Sequence, residues 1–275
     1  MLENSLATDS DHAAQALEKL VAAAHRAGEI ALGDFRPGER TTARVDYKEG
    51  NSPVTSADLA VDAFLRDRCA ADFPGAGWLS EETADDSVRL AVSQIVIADP
   101  IDGTRAFLAG DPRWCVALAF VIGGRPVAGV VHAPALATTY AASLGRGTTR
   151  NGVRVAASGR TVLDGARIGG PRPLVQSVAQ AAGVHFEIEP RIPSLALRLA
   201  CVADGTLDVA LASTDSHDWD VADADILLSE AGAALWQKPS GVLGYNKAST
   251  RLEALAAAPC ALLAPLTKAL AAAAS

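Results

Sequence analysis

The chain holds one short apolar run that stops abruptly against carboxylates. Ile95-Val96-Ile97-Ala98 has the length and β-branched content of a buried strand. It ends at Asp99, the first residue of the string Asp99-Pro100-Ile101-Asp102-Gly103-Thr104. Pro100 stiffens the backbone after Asp99, and Gly103 permits a sharp turn, so both acids can converge on one point. Hard divalent cations such as Mg²⁺ take a few carboxylates of that kind, with water and substrate phosphate completing the shell. A helix opening at Thr104 would turn the free N–H groups of Gly103, Thr104 and Arg105 toward an anion. Asp-Gly alone is an ordinary turn. The whole string is expected by chance at a rate on the order of 10⁻⁴ in a chain this long.

The flanking sequence supplies both kinds of element. Leu17, Val21, Ala24, Ala27 and Ala31 recur at helical spacing, predicting a helix from about Asp11 to Phe35. Residues 36–54 contain Pro37, Gly38, Gly50, Asn51 and Pro53 and read as a loop or hairpin carrying Lys48. A second helix begins at Thr55 or Ser56, either of which can cap it, and runs toward Asp72 with Asp58 in its first turn. Trp78 to Ser80 is a strand, and Val116–Ile122 with Val127–His132 form a hairpin about Gly123-Gly124-Arg125-Pro126. Another strand falls at Thr138 to Ala142, and Gly145–Gly152 reads as a surface loop at the seam between two halves, 1–150 and 151–275. Beyond it strands and helices alternate: Ala166–Gly169, Leu174–Ala182, His185–Ile188, Leu195–Ala203 and Leu207–Leu211. A helix opening near Trp219-Asp220 and a strand at Ala233–Trp236 complete a mixed, layered α/β or α+β class.

Composition narrows the partners. Of 275 residues, 49% are hydrophobic, enough for a sizeable core, and the excess of 32 acidic over 24 basic residues gives −8. Without a basic cluster, a nucleic-acid polymer or a membrane surface is not expected as a partner. The four cysteines have no C-x-x-C pair and read as reduced core thiols. Met1 to Asp11 is polar and acidic, and Leu252–Ala274 is broken by Pro259, Pro265 and Lys268, so neither reads as a signal or a span. The expected setting is cytoplasmic.

Four stretches in order carry a family resemblance. Pro53-Val54-Thr55-Ser56-Ala57-Asp58, Ser80-Glu81-Glu82-Thr83, the Asp99–Thr104 string and Trp219-Asp220-Val221-Ala222 resemble the signatures of the inositol monophosphatase family over roughly residues 12–247. The resemblance implies a layered αβαβα sandwich and a Mg²⁺-dependent, lithium-sensitive phosphatase, with a homodimer left open. It implies that Glu81, Asp99, the Ile101 carbonyl, Asp102 and Asp220 hold two or three Mg²⁺ ions. Asp58 and Thr104 then position the attacking water, Glu81 shares in the catalysis, and Gly103, Thr104 and Asp220 face the phosphate. No covalent phosphoenzyme is implied.

Other residues sharpen or blur the substrate. Glu82 reads as a solvated neighbour of Glu81, because adjacent side chains of an extended segment point opposite ways. Lys48 reaches the site or stays exposed, and His217 touches substrate or is polar surface. Asp223 stands where the family usually has Ala or Gly, one turn after Asp220, and either adds charge near a metal or points away. The strand from Asp208 ends at Ser213, where inositol-specific members usually place a Glu. Ser194–Arg198, Val202–Gly205 and Leu243–Lys247 look more like the bacterial 3'(2'),5'-bisphosphate nucleotidase branch. Arg198 would then pair with a second phosphate, against the alternative of a surface arginine. Its substrate, 3'-phosphoadenosine 5'-phosphate, is the leading expectation, with inositol 1-phosphate or other small sugar and alcohol phosphates as alternatives. A non-catalytic phosphate or metal sensor is the remaining class, disfavoured because every motif acid is present.

Overall fold

The structure is a computed structural model describing residues 2–48, 52–239 and 241–273, with side chains from residue 10 onward. Gly50 and Asn51 of the first loop, Met1, and Ala274 at the end of the last apolar stretch lie outside the described residues.

Helix α1 (Leu2–Leu32) precedes a hairpin of β1 (Val45–Tyr47) and β2 (Pro53–Thr55), then α2 (Ser56–Asp72). β3 (Gly77–Ser80) and β4 (Gln94–Asp102) lead into the short α3 (Thr104–Ala109). A meander follows: β5 (Cys115–Ile122), β6 (Arg125–Ala133), β7 (Thr138–Ser143), β8 (Gly147–Arg150) and β9 (Val153–Val155). Next come β10 (Arg167–Gly169), α4 (Arg172–Ala182), β11 (Glu187–Ile188), α5 (Leu195–Ala203), β12 (Val209–Ala212) and β13 (Ser216–His217). α6 (Ala222–Glu230), β14 (Ala233–Gln237), β15 (Arg251–Leu252), β16 (Leu255–Pro259) and α7 (Cys260–Ala273) close the chain.

β3 to β9 form a seven-stranded sheet in sequence order, parallel only between β3 and β4. A five-stranded sheet runs β11-β10-β12-β16-β14. The period-two alternation of strand side chains sorts the core into layers. Val96, Ala98, Val116, Leu118 and Phe120 face α1 and α2, while Ile95, Ile97, Ala117, Ala119 and Val121 face α5 and α6. α5 and α6 also pack on the second sheet through Ala210, Ala212, Leu235 and Ala257, and that sheet's outer face carries Ile168, Val209 and Leu211 against α4 and α7. The result is the expected αβαβα sandwich. Among the described residues no helix is long and apolar enough to cross a membrane.

Three local devices place the site. Thr55 caps α2, accepting from the N–H groups of Ala57 and Asp58, while Asp58 returns a bond to the Thr55 N–H at 2.8 Å, a reciprocal capping box. Phe35, Phe107 and Trp114 form an aromatic knot with centroids 5.0–5.7 Å apart that seats α3. Gly129 of β6 lets α6 approach, since a Cβ there would lie 2.5 Å from the Asp223 carbonyl.

Several expectations change. β4 does not stop at Asp99 but runs to Asp102, because a bulge between Asp99 and Asp102 absorbs one extra residue while the strand stays paired with β5. The stretch read as a loop at 145–152 contains β8, held by Thr148, which is fully buried and donates to the Leu227 carbonyl at 2.6 Å. The last helix of the site opens one turn later than expected: Asp218–Asp220 is a 3₁₀ turn and α6 begins at Ala222. Cys69, Cys115 and Cys201 are buried free thiols as expected, but Cys260, which opens α7, is exposed.

Candidate active site

Two segments, the end of β4 and the 3₁₀ turn Asp218–Asp220, deliver three acids to one place. The bulge re-aims the end of β4, and there Asp99 Oδ1 accepts from the Ile101 N–H at 3.0 Å. Asp102 is pinned from the middle layer: its Oδ2 accepts from Ser194 Oγ at 2.6 Å and from the Ala196 N–H at 2.7 Å, both at the N-terminus of α5. Asp220 Oδ2 accepts from the His217 N–H at 2.6 Å, closing the 3₁₀ turn. One oxygen from each of Asp99, Asp102 and Asp220 lies within 4.8 Å of the others. Burial, together with the charges of Glu81, Asp102, Asp220 and Asp58, pushes the Asp99 pKa well above the usual range. Burial likewise raises Asp102 against its bonds from Ser194 and α5, and raises Asp220 with help from Asp102. Hard oxygen donors that repel each other in a desolvated pocket fit a divalent cation, whose charge removes the repulsion.

The second group surrounds this cage. Asp58 keeps Oδ2 on the Thr55 hydroxyl at 2.5 Å and offers Oδ1 to the Thr104 hydroxyl at 3.4 Å. Burial moves the Asp58 pKa up to about 6, with the Thr55 bonds opposing. Thr104 Oγ1 also lies 3.1 Å from the Ile101 carbonyl. Thr104, Ile101 and Asp58 are therefore one contact group. Gly103 caps α3 with φ of 92°, and its carbonyl accepts from the Ala106 N–H at 2.7 Å and the Phe107 N–H at 3.1 Å. Glu81 lies outside the 4.8 Å set and instead meets Lys48 Nζ at 3.2 Å.

Glu82 corrects an expectation. Its side chain is 2% exposed and pairs with Lys48 at 2.7 Å, because the chain bends after β3 and both glutamates turn to the same ammonium. Burial lifts the Glu82 pKa to about 7. For Lys48 burial pulls downward, but Glu81 and Glu82 outweigh it and the net shift is upward. Lys48 thus reaches the site rather than remaining exposed.

Arg198 is not a surface arginine. It is 8% exposed, spends one Nη1–H on the Ile192 carbonyl at 3.1 Å, and leaves Nε without a partner among the described residues. It lines a cleft of about 900 Å³ that also reaches Leu195, Ala212, Ser213 and Ser216. His217 stacks flat on Trp219, centroids 4.6 Å apart, with Nδ1 3.0 Å from Thr250 Oγ1. Asp223 does not point away: it is 1% exposed, its Oδ2 has no hydrogen-bond partner among the described residues, and burial, partly offset by nearby backbone N–H groups, raises its pKa, with the Asp102 charge adding to the rise. Ser194 was missed by sequence reasoning, although its place as the cap of α5 was a visible signal.

The chain is similar to known proteins over most of its length. The profile of the inositol monophosphatase family matches residues 12–266. A 3'(2'),5'-bisphosphate nucleotidase CysQ of Haemophilus influenzae is 33% identical over 75% of this chain and 80% of its own. A histidinol-phosphatase of Mycobacterium tuberculosis is 34% identical over 70% of this chain and 76% of its own. Inositol monophosphatase 3 of Solanum lycopersicum is 31% identical over 82% and 87%. Among solved structures, the extragenic suppressor protein suhB of Bartonella henselae superposes with a TM-score of 0.81 at 26% identity, covering 93% of this chain and 98% of that one. The chain belongs to the inositol monophosphatase family of metal-dependent phosphatases.

Proposed function

We propose that the chain is a Mg²⁺-dependent phosphomonoesterase whose substrate is 3'-phosphoadenosine 5'-phosphate. The observation that carries the reaction class is the converging oxygen set of Asp99, Asp102 and Asp220. Together with Glu81 and the Ile101 carbonyl, these groups would hold two or three ions. Bound Mg²⁺ supplies Lewis-acid polarisation of the phosphoryl oxygens and lowers the pKa of water. The protein's own share is orientation. The Thr104 hydroxyl, which donates to Asp58 Oδ1 at 3.4 Å, would orient the attacking water and accept its proton while passing its own to the Asp58 carboxylate. The Gly103 and Thr104 N–H groups and the segment at Asp220 face the phosphate oxygens. Lys48 offsets the charge of Glu81 and Glu82. Residues 1–150 contribute Asp58, Glu81, Asp99, Asp102 and Thr104, and residues 151–275 complete the site with Arg198 and Asp220.

The substrate assignment is supported by Arg198, a buried guanidinium with an unused donor beside the cage, and by the likeness to bisphosphate nucleotidases. A phosphate-release panel with Mg²⁺ tests it, comparing 3'-phosphoadenosine 5'-phosphate, inositol 1-phosphate, fructose 1,6-bisphosphate and histidinol phosphate. Preference for the bisphosphorylated nucleotide is expected. Preference for inositol 1-phosphate would overturn the substrate and leave the mechanism, whereas full activity in EDTA would overturn the mechanism.

A further inference from the structure

The cleft beside the cage has a charge pattern that one buried arginine does not explain. Arg198 stands on α5, the helix whose N-terminus holds Asp102, so the cleft wall and the cage share one element. The opposite wall, Ala212, Ser213 and Ser216, belongs to the segment running from β12 toward Asp220. At the mouth are two more guanidinium groups, Arg172 at the start of α4 and Arg191 in the loop before α5, with Glu189 as the one carboxylate. Three cations against one acid leave the cleft at +2.

The mouth is also built to hold its shape. Pro171, Pro173, Pro190 and Pro193 line it and fix φ on both sides of the arginines. The Arg191 carbonyl is pinned by Arg113 Nη1 at 2.6 Å, and Arg113 is itself clamped by Asp111 at 2.5 Å. Arg191 therefore presents its side chain from a fixed backbone, which lowers the ordering cost of using it. Ser213 matters for what it is not. A carboxylate there would cancel about half of the +2 and repel an anion, whereas a serine hydroxyl is neutral and can donate. A volume of about 900 Å³ is within the range of sites that enclose a nucleotide-sized ligand.

We infer that Arg172 and Arg191, with Arg198 behind them, clamp a second anionic group of the substrate, and that Ser213 keeps the cleft open to it. This rests on the phosphomonoesterase reading above and adds the residues that would select an ester bearing two anionic groups over an ester bearing one. The second group is placed on the substrate itself rather than on a free phosphate ion, because clamp and cage are joined through α5, which carries Arg198 in the cleft wall and holds Asp102 by its Ala196 N–H.

Two measurements decide it. In EDTA, where the acid cage repels phosphate, the clamp is read alone by calorimetric titration with adenosine 5'-monophosphate, adenosine and inorganic phosphate. The nucleotide is expected to bind at least about tenfold tighter than adenosine or phosphate, and Arg172→Ala, Arg191→Ala and Ser213→Glu each to remove about tenfold. Equal binding of nucleotide and adenosine, or variants that bind as the wild type does, would overturn the clamp. Phosphate binding as tightly as the nucleotide would overturn the single-substrate form. With Mg²⁺, the same variants should raise KM for 3'-phosphoadenosine 5'-phosphate and leave KM for adenosine 3'-monophosphate and both kcat values unchanged. A parallel loss on both substrates would show that the arginines act through the cage, against the proposal. If the wild type releases phosphate from neither, the enzymatic reading fails, and the titration still decides the clamp.

Discussion

Two buried arginines in this molecule live in opposite circumstances. Arg89 is 3% exposed, and its guanidinium is used in every direction: Nε and Nη2 take Asp85 at 2.6 and 2.8 Å, Nη1 takes Asn246 Oδ1 at 2.8 Å, and Nη2 also reaches the Lys247 carbonyl at 3.0 Å. Arg198 is buried nearly as deeply and makes one bond to Ile192, with Nε left over. Bonds to Asp85 hold the Arg89 pKa up, while burial pulls that of Arg198 down. Depth alone therefore says nothing about role. A buried guanidinium with a partner at each nitrogen fastens segments distant in sequence; one with a nitrogen left over is held ready for something else. The acids divide the same way. Asp62 is 8% exposed and accepts from Ser80 at 2.5 Å and Thr83 at 2.6 Å, whereas Asp99, Asp102 and Asp220 face one another.

The contrast can be broken most sharply at the cage. Asp102→Asn keeps an acceptor for Ser194 and Ala196 but removes a charge, so Mg²⁺-dependent phosphate release should fall by about 10³-fold or more. The melting temperature in EDTA should hold or rise; a melting temperature that drops with activity would mean Asp102 is structural. Arg89→Ala should do the reverse, costing about 3 kcal/mol in urea unfolding while the folded fraction keeps its turnover. A loss below about 1 kcal/mol would remove the distinction between the two arginines. Arg198→Met should change stability by less than about 1 kcal/mol and raise KM for the bisphosphorylated nucleotide about tenfold.

The smallest effect is on pH. Asp58 at about 6 and Glu82 at about 7 both sit above their unfolded values, so the folded protein binds more protons than the unfolded chain between the two. Their contribution is complete below the ordinary carboxylate range and lost as the pH rises through 6 and 7. His132 works oppositely: burial, with His25 nearby, pushes it down to about 4, so it adds stability as the pH rises from there to its unfolded value. The raised acids outnumber it. In EDTA, stability should fall by about 1–2 kcal/mol between pH 5 and 8, and saturating Mg²⁺ should flatten the slope. A slope of the opposite sign in EDTA would mean the acids are not strained.

What the chain revealed in advance was whatever local chemistry writes plainly. The Asp99–Thr104 string, the Thr55 cap and the Gly123-Gly124 hairpin needed only neighbours within a few residues. What stayed hidden depended on partners far away. Thr148 reads as a loop residue until α6 covers it, and Glu82 reads as solvated until Lys48, dozens of residues upstream, swings beside it. The bulge in β4 could not be seen because it is defined by its register against β5. β16 escaped because Leu255-Ala256-Ala257-Ala258-Pro259 has almost no β-branched content and becomes a strand only between β12 and β14. Arg113 gave no hint that it would hold Arg191 from 78 residues away.

The bond from Ala196 to Asp102 has a consequence for assembly. Asp99 and Asp102 belong to the seven-stranded sheet, the group that holds Asp102 belongs to α5 in the middle layer, and Asp220 follows the second sheet. A cation that binds this set binds only when three layers are in register. By mass action it adds about 2.7 kcal/mol to that register at one hundred times its dissociation constant. The cofactor is then also a clasp between layers, and a newly made chain can hold it only after its last third has docked.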